Sequence, residues 1–316
     1  MHHLRLTHGA RASIAACALP FAFSSTTVLA GACTLTAQDA LQSCRREAAE
    51  EYFIHTGNCR NIAAGPERAA CWDEAMEARS EAREVECQDV HRARLEVCAL
   101  VGEQRYDPLL DPADFLDPAD IPANPNPYFP LVPGNEWVYQ NPDETITVTV
   151  LSGTRIVSGI KVVIVRDVVR DADGRLVEHT NDWYAQHVNG DIWYMGELAR
   201  NYERGRLHNL DGSWEAGREF AKPGILVRAQ PEVGQVIRQE MLLGEAEDIA
   251  EVISLTGTEA AVGSSCENNC LVNRESTPLE PDVSELKYYA PGIGLIVELD
   301  PVSGDRLELT SFTPGG

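Results

Sequence analysis

The first stretch of the chain is uncharged and mostly apolar or small from residue 12 to residue 30, and only basic residues, Arg5 and Arg11, precede it among the charged types. This pattern is typical of a signal peptide, which predicts removal of residues 1–32 on export. No later stretch approaches the roughly 18 consecutive apolar residues of a membrane-spanning helix. We therefore predict no transmembrane segment in the mature chain and a secreted or periplasmic location.

Residues 33–105 form the second stretch, which is rich in Ala, Glu and Arg, residue types that favour helices. Its six cysteines are 11 to 16 residues apart within each half, close to whole numbers of turns at about 3.6 residues per turn. Their positions are symmetric about Gly65-Pro66, a turn signal. An antiparallel helical hairpin follows, with three predicted disulfides: Cys33–Cys98, Cys44–Cys87 and Cys59–Cys71.

The cysteine count agrees with export. Without Cys17 of the leader, eight cysteines remain, and an even number in an exported chain favours disulfides over zinc or thiol chemistry. Cys266 and Cys270 enclose Glu-Asn-Asn, and a turn there predicts a fourth bridge, Cys266–Cys270. Ala30-Gly31-Ala32-Cys33 also offers a second reading, a lipoprotein anchored through Cys33. The disulfide from Cys33 to Cys98 argues against that anchor.

A proline-rich linker, residues 106–130, separates the hairpin from the rest of the chain. It has seven prolines, five aspartates and no Lys or Arg, and Leu-Asp-Pro-Ala-Asp occurs twice in it. Proline removes a backbone donor, so this stretch cannot continue a helix or fill a central strand. We predict a semi-rigid extended spacer.

The third stretch, residues 131–316, has short runs of Val, Ile, Thr, Tyr and Trp between turn dipeptides. Asp173-Gly174, Asn189-Gly190 and Asp211-Gly212 are hairpin signals. They predict an antiparallel β meander, half-barrel or sandwich-like in form. The predicted fold class is therefore α+β.

Four motifs resemble those of a group of exported bacterial proteins with a C-terminal antiparallel β domain. They are NPYFPLVPGNEWVY (126–139), DWYAQ (182–186), WYMGE (193–197) and YYAPGIGL (288–295). The resemblance extends from Asn126 to about Leu309 and implies no activity. The Pro-Gly-Asn opening is also similar to the start of curved half-barrel domains in bacterial envelope proteins, some of which hold apolar ligands.

A two-residue turn at Asn189-Gly190 would place Asp182 opposite Glu197 on neighbouring strands. The turn at Asp173-Gly174 would lay the preceding strand beside them, so that the two carboxylates end an apolar, aromatic stripe. The full predicted register pairs Gln186 with Trp193, Tyr184 with Met195, Val163 with Tyr184 and Val165 with Asp182.

Opposed carboxylates destabilise a sheet unless a proton, a cation or an arginine lies near them. The pair could be an acid/base dyad like those of glycoside hydrolases. It could also bind a divalent cation such as calcium, helped by Glu240, Glu247 and Asp248. A third interpretation is a solvated sheet end, or a salt bridge to Arg166 or Arg238.

The net charge of the chain limits the classes of molecule that it is expected to bind. With 49 acidic and 26 basic residues the net charge is −23, and loss of two leader arginines gives −23 − 2 = −25. Such a surface repels phosphate backbones and anionic membranes, which argues against nucleic acid as a partner.

We expect a secreted or envelope-associated module whose β domain binds a small molecule, lipid or glycan, because apolar residues occupy both faces of its strands. The candidate ligand-binding residues are Tyr184, Trp193, Tyr194 and Met195. One alternative is an extracellular hydrolase using Asp182 and Glu197, and another is a structural surface protein. The sequence does not decide whether the chain is an enzyme.

Overall fold

A computed structural model describes residues 30–316; most of the predicted signal peptide, residues 1–29, lies outside them. The fold is α+β, as predicted. The helices are α1 (Ala32–Cys59), α2 (Pro66–Glu81) and α3 (Cys87–Val101), and a π-helical turn (Ala82–Glu86) joins α2 to α3. Two antiparallel arms therefore meet at Gly65-Pro66, where Pro66 begins α2.

The structure contains the four disulfides that the spacing predicts, including Cys33–Cys98, Cys44–Cys87 and Cys59–Cys71 in the hairpin. The Cα atoms of these three pairs are 5.6, 5.8 and 5.7 Å apart. The interval from Cys71 to Cys87 is one residue longer than that from Cys44 to Cys59. The π-helical turn lies in that interval, and such a turn absorbs one extra residue, which keeps the sulfurs in register.

The Cys33–Cys98 disulfide also affects whether Cys33 can carry a lipid anchor. The Sγ atom of Cys33 is bonded to that of Cys98, so it has no thiol to carry a lipid. Disulfides persist in oxidising compartments, which agrees with a secreted or periplasmic location. Among residues 30–316, no helix is both long and apolar enough to span a bilayer.

The β domain is one antiparallel sheet. Its strands are β1 (Glu136–Gln140), β2 (Glu144–Val157), β3 (Ile160–Asp171), β4 (Leu176–Gln186), β5 (Ile192–Leu198), β6 (Asn201–Glu203), β7 (Arg206–Asn209), β8 (Trp214–Glu215), β9 (Lys222–Val227), β10 (Val236–Arg238), β11 (Glu240–Met241), β12 (Ile249–Ala260), β13 (Ser265–Ser276), β14 (Ser284–Ala290), β15 (Gly294–Leu299) and β16 (Arg306–Thr313). The main order is β10-β12-β13-β14-β15-β16-β1-β2-β3-β4-β5-β9-β11.

Gln239 joins the two ends of this order, because β10 and β11 are its neighbours in the chain yet lie at opposite ends of the sheet. Its backbone N–H donates to the carbonyl of Asp248 (2.8 Å), and its side-chain amide donates to the carbonyl of Leu226 on β9 (3.3 Å). The sheet therefore curves almost fully round on itself.

The linker does not stand free of the sheet. Leu116 donates its N–H to the carbonyl of Gln186 (2.9 Å), and Asp117 forms an ion pair with Lys161 of β3 (2.9 Å). Ile121 is completely buried in the core of the β domain. The predicted spacer is therefore packed against the sheet, because apolar side chains between its prolines bury themselves there.

A buried ion pair joins the hairpin to the β domain. Arg94 of α3 donates from Nη2 to Oε1 of Glu247 (2.6 Å) and from Nε to Oε2 (3.0 Å). Both side chains are almost fully buried. The pair fixes α3 against the loop between β11 and β12.

Candidate functional site

Asp182 of β4 and Glu197 of β5 are paired directly across the two strands, as the sequence predicts. On the other side of β4, Val165 pairs with Asp182 and Val163 with Tyr184, which confirms the predicted register of β3. The two carboxyl groups therefore lie at the end of an apolar and aromatic stripe.

Nearer the turn, the predicted register is wrong by one residue. Tyr184 pairs with Tyr194 rather than with Met195, and Gln186 pairs with Ile192 rather than with Trp193. The cause is the loop, where the N–H of His187 donates to the carbonyl of Asp191 and three residues lie between them instead of two.

A β-bulge then restores the pairing of Asp182 with Glu197. The register shifts between Asp182 and Tyr184, so that Met195 and Gly196 lie opposite the single residue Trp183. Tyr194 and Glu197 are three residues apart and would face opposite sides of a regular strand. The bulge brings both to one side, where the Tyr194 hydroxyl lies 2.9 Å from Oε2 of Glu197.

The Tyr194 hydroxyl connects the two carboxyl groups. It also lies 2.7 Å from Oδ1 of Asp182, and its ring stacks on that of Tyr184 with centroids 4.7 Å apart. A phenol has one proton to donate. It can donate to one carboxyl group at a time, and the other contact is a hydrogen bond only when that carboxyl group is protonated and donates to the phenol oxygen.

Burial and neighbouring carboxylates favour that shared proton. Burial, with the charge of Asp167, raises the pKa of Asp182 to about 7. Burial and the charge of Asp182 raise the pKa of Glu197 to about 8. Both groups titrate as a coupled pair close to neutral pH.

Asp167 is a third member of this acidic group that the sequence reasoning missed. Burial raises its pKa to about 7, with Glu178 and Glu197 as further causes. Its Oδ1 is buried and has no hydrogen-bond partner among residues 30–316. The alternation of side chains along β3 would have predicted this position, because Asp167 lies two residues beyond Val165 and therefore faces the same side of the strand.

Neither arginine proposed as a partner neutralises the pair. Arg166 pairs with Asn181, the residue before Asp182, and its guanidinium contacts the hydroxyl of Thr149 (3.4 Å). Arg238 lies at the hairpin, where Nη2 is 3.6 Å from Sγ of Cys33. The salt-bridge interpretation is therefore wrong for this pair.

The structure does not bring the five suggested metal ligands together. Glu247 is held by Arg94, whereas Glu240 and Asp248 line one acidic cleft together with Lys287. Glu240 is buried, and its pKa is raised to about 9 by burial and by the charges of Asp248 and Glu197. Within residues 30–316, three potential ligand atoms lie within 4.8 Å of one another in the group His55, Cys59 and Cys71. The sulfur atoms of Cys59 and Cys71 are bonded to each other, so they do not offer a metal site.

The four candidate ligand-binding residues divide between two environments. Tyr184, Tyr194 and Met195 are buried in the core of the β domain. Trp193 is partly exposed, faces the other side of β5 and packs edge-on against Phe115 of the linker (ring centroids 6.2 Å apart). Trp193 therefore contributes surface that a ligand can reach, whereas the other three support the core.

Trp193 lines a groove between the hairpin and the sheet. The groove consists of two adjoining clefts of about 180 and 270 Å³, and Arg238 and Tyr106 line both. Tyr106 is fixed by donating its hydroxyl to the carbonyl of Pro223 (2.8 Å). The principal apolar lining residues are Val97, Val101, Trp193, Ile225, Val236 and Met241.

Sequence reasoning did not find this groove. Its walls come from α1, α3, the start of the linker, β5, β9, β10 and β11, which are far apart in the chain. Local patterns cannot indicate how the hairpin docks, so Tyr106 and Arg238 have no sequence signal that marks them as a site.

No protein-family model and no curated protein matches the chain. A crystal structure from Bacteroides fragilis, described as an exported protein with a YmcC-like fold, is similar with a TM-score of 0.35 and 12% identity over 59% of this chain and 99% of that chain. A second, described as a lipoprotein from Parabacteroides distasonis, has a TM-score of 0.32 and 12% identity over 60% of this chain and 100% of that chain. At these scores the chain is similar to both proteins without sharing an assigned function with them.

Proposed function

We propose that this chain is a secreted or envelope-associated binding module that holds a small amphiphilic molecule in the groove between hairpin and sheet. The carrying observation is the position of Trp193, a large aromatic side chain left partly exposed in a cleft that is lined mainly by apolar groups. Concave, mostly apolar sites with a few polar groups are typical of small-molecule binding.

The rigidity of the surroundings supports this proposal. One wall is the hairpin, held by three disulfides and by the Arg94–Glu247 pair. The other wall is the sheet near the junction at Gln239. A preformed site loses less conformational entropy on binding, so such walls favour affinity.

A thermal-shift screen of small molecules, lipids, glycans and metal ions, with and without chelator, tests the proposal. Ligands that raise the melting temperature of the mature chain are then tested on Trp193→Ala, which should lose most of the shift relative to its own baseline. Trp72→Ala is the matched control, because Trp72 lines a separate cleft on the hairpin. Equal shifts in both variants would place the ligand outside the groove.

A hydrolase using Asp182 and Glu197 is the second candidate, favoured by one observation. Glu197 lines a surface cleft of about 580 Å³, so its carboxyl group, with a pKa raised to about 8, is within reach of a substrate. Glycoside hydrolases use one protonated and one ionised carboxyl group that flank the scissile bond.

The test of this candidate uses Asp182→Asn and Glu197→Gln with a panel of glycoside and ester substrates. Loss of an activity in both variants, at unchanged folding, would support the hydrolase. If both variants keep every activity found and are more stable than the parent chain, the pair is a source of strain and the hydrolase is excluded.

A further inference from the structure

Arg238 lies in the groove, where the charge of Glu247 acts on it without a direct ion pair among the described residues. Within residues 30–316, no carboxylate oxygen lies within 4.0 Å of its guanidinium. The contacts that its Nη atoms make are with sulfur: Nη1 is 3.7 Å from Sδ of Met241, and Nη2 is 3.6 Å from Sγ of Cys33. Sulfur is a weak acceptor, so the donors of this guanidinium are poorly satisfied.

The lack of a partner is unusual because the chain has a net charge of −23. The acid on the same wall, Glu247, already binds Arg94 through both carboxyl oxygens and accepts the N–H of Gly244 (2.7 Å). Arg238 therefore gives positive charge to a groove in an acidic protein, and its burial, which lowers the pKa of the guanidinium, weakens the screening of this charge by water.

The surroundings hold the Arg238 side chain in place. Its guanidinium lies over the ring of Tyr106 (5.6 Å to the centroid), and that ring is fixed by the hydrogen bond to Pro223. The neighbouring cleft also contains Arg228, which pairs with Asp191 through Nη1 (2.9 Å). The Nε atom of Arg228 is buried and has no hydrogen-bond partner in the described part of the chain. Arg238 is thus oriented before any ligand arrives.

We propose, building on the binding function above, that the groove takes an amphiphilic carboxylate, with the carboxylate on Arg238 and the apolar part against Trp193 and Ile225. A guanidinium presents parallel N–H donors that match a carboxylate in a bidentate arrangement. Arg105 also lines both clefts but is exposed, so Arg238 is the guanidinium held within the groove. Glu247 lies on the same wall and repels a doubly charged phosphate more strongly than a singly charged carboxylate, so the carboxylate is the better match.

Binding of decanoate and of decanol to the mature chain, measured by calorimetry, tests the inference. The two probes share an alkyl chain and differ in the charged group. We expect decanoate to bind at least about tenfold more tightly, because a hydrogen bond to a charged group in a poorly screened site contributes that much. Arg238→Gln should remove this preference, while Arg92→Gln, at an exposed site on α3, should keep it.

Each outcome is informative. Equal binding of decanoate and decanol overturns the carboxylate assignment and leaves the groove as an apolar site. Binding of neither probe counts against both this inference and the proposed groove function. The comparison of decanoate with decanol uses the unaltered chain, so it remains valid even if Arg238→Gln folds poorly. Arg238→Lys retains the charge but lacks the parallel N–H donors of the guanidinium, so it should bind decanoate with intermediate affinity.

Discussion

Asp182 and Glu197 lie opposite each other on β4 and β5, and the hydroxyl of Tyr194 is within 2.9 Å of a carboxyl oxygen of each. Two buried carboxylates at this separation repel each other strongly. The arrangement is stable only while at least one proton is retained. The three side chains therefore form a proton-holding unit whose formation depends on the bulge at Gly196.

This unit predicts that stability falls as pH rises. The pKa values of Asp182 and Glu197, about 7 and about 8 in the folded chain, exceed the values near 4 of an unfolded chain. Between these limits the folded state binds more protons, so its free energy of unfolding decreases with pH. Urea unfolding at pH 5 and at pH 8.5 should differ by at least about 2 kcal/mol, with the higher stability at pH 5.

The double variant Asp182→Asn/Glu197→Gln is the control for this prediction. It retains polar groups of the same shape but has no charge to bury at these two positions, so its stability should vary less over the same pH range, and the dependence that remains comes from Asp167 and Glu240. Asp143→Asn, at an exposed position, should behave like the parent chain. A parent chain equally stable at both pH values would show that the pair is not buried as described.

The sequence predicts the hairpin in detail because one-dimensional spacing carries its geometry. Cysteines on two antiparallel helices must be symmetric about the turn, and Gly65-Pro66 marks that turn directly. The single irregular interval, between Cys71 and Cys87, even corresponds to the π-helical turn.

Removal of the long and the short disulfide should have different effects. A bridge stabilises mainly by restricting the unfolded chain, and more so for longer loops. Cys44 and Cys87 are 43 residues apart, whereas Cys266 and Cys270 are 4 apart. Replacing each pair with alanine should reduce the free energy of unfolding by about 4 and about 2 kcal/mol respectively. Urea titrations of the two variants measure this order, and the reverse order would contradict the chain-entropy explanation.

The sequence does not predict the groove or the pairing of β4 with β5 near their turn. A dipeptide such as Asn189-Gly190 indicates a turn but not whether two or three residues lie in it, and one residue reverses which face each side chain takes. The predicted pairing of Asp182 with Glu197 is correct only because the bulge compensates for the longer loop. Docking of Arg94 on Glu247 joins residues 153 apart, and no local pattern signals such a contact.

Breaking that contact should destabilise the chain. Arg94→Met leaves the carboxylate of Glu247, which is 3% exposed, without its buried partner. Removal of one member of a buried ion pair costs about 3–5 kcal/mol. Arg92→Met, which breaks an exposed pair with Asp89 on the same helix, should cost less than about 1 kcal/mol. Arg94→Met/Glu247→Leu should recover most of the loss, and failure to do so would show that packing rather than charge causes it.

Gly196 offers the most direct test of the bulge. Its φ of +127° suits glycine, and a Cβ atom there would lie 2.4 Å from the carbonyl oxygen of Trp214 on β8. Gly196→Ala should therefore cost about 2–4 kcal/mol through backbone strain and displacement of β8. Gly205→Ala separates these causes, because Gly205 also has a positive φ, +74°, but no atom within 4 Å of the added carbon. If the bulge aligns Tyr194 with both carboxyl groups, Gly196→Ala should also weaken the dependence of stability on pH, whereas Gly205→Ala should not. An unchanged dependence in Gly196→Ala would show that the proton-holding unit forms without the bulge.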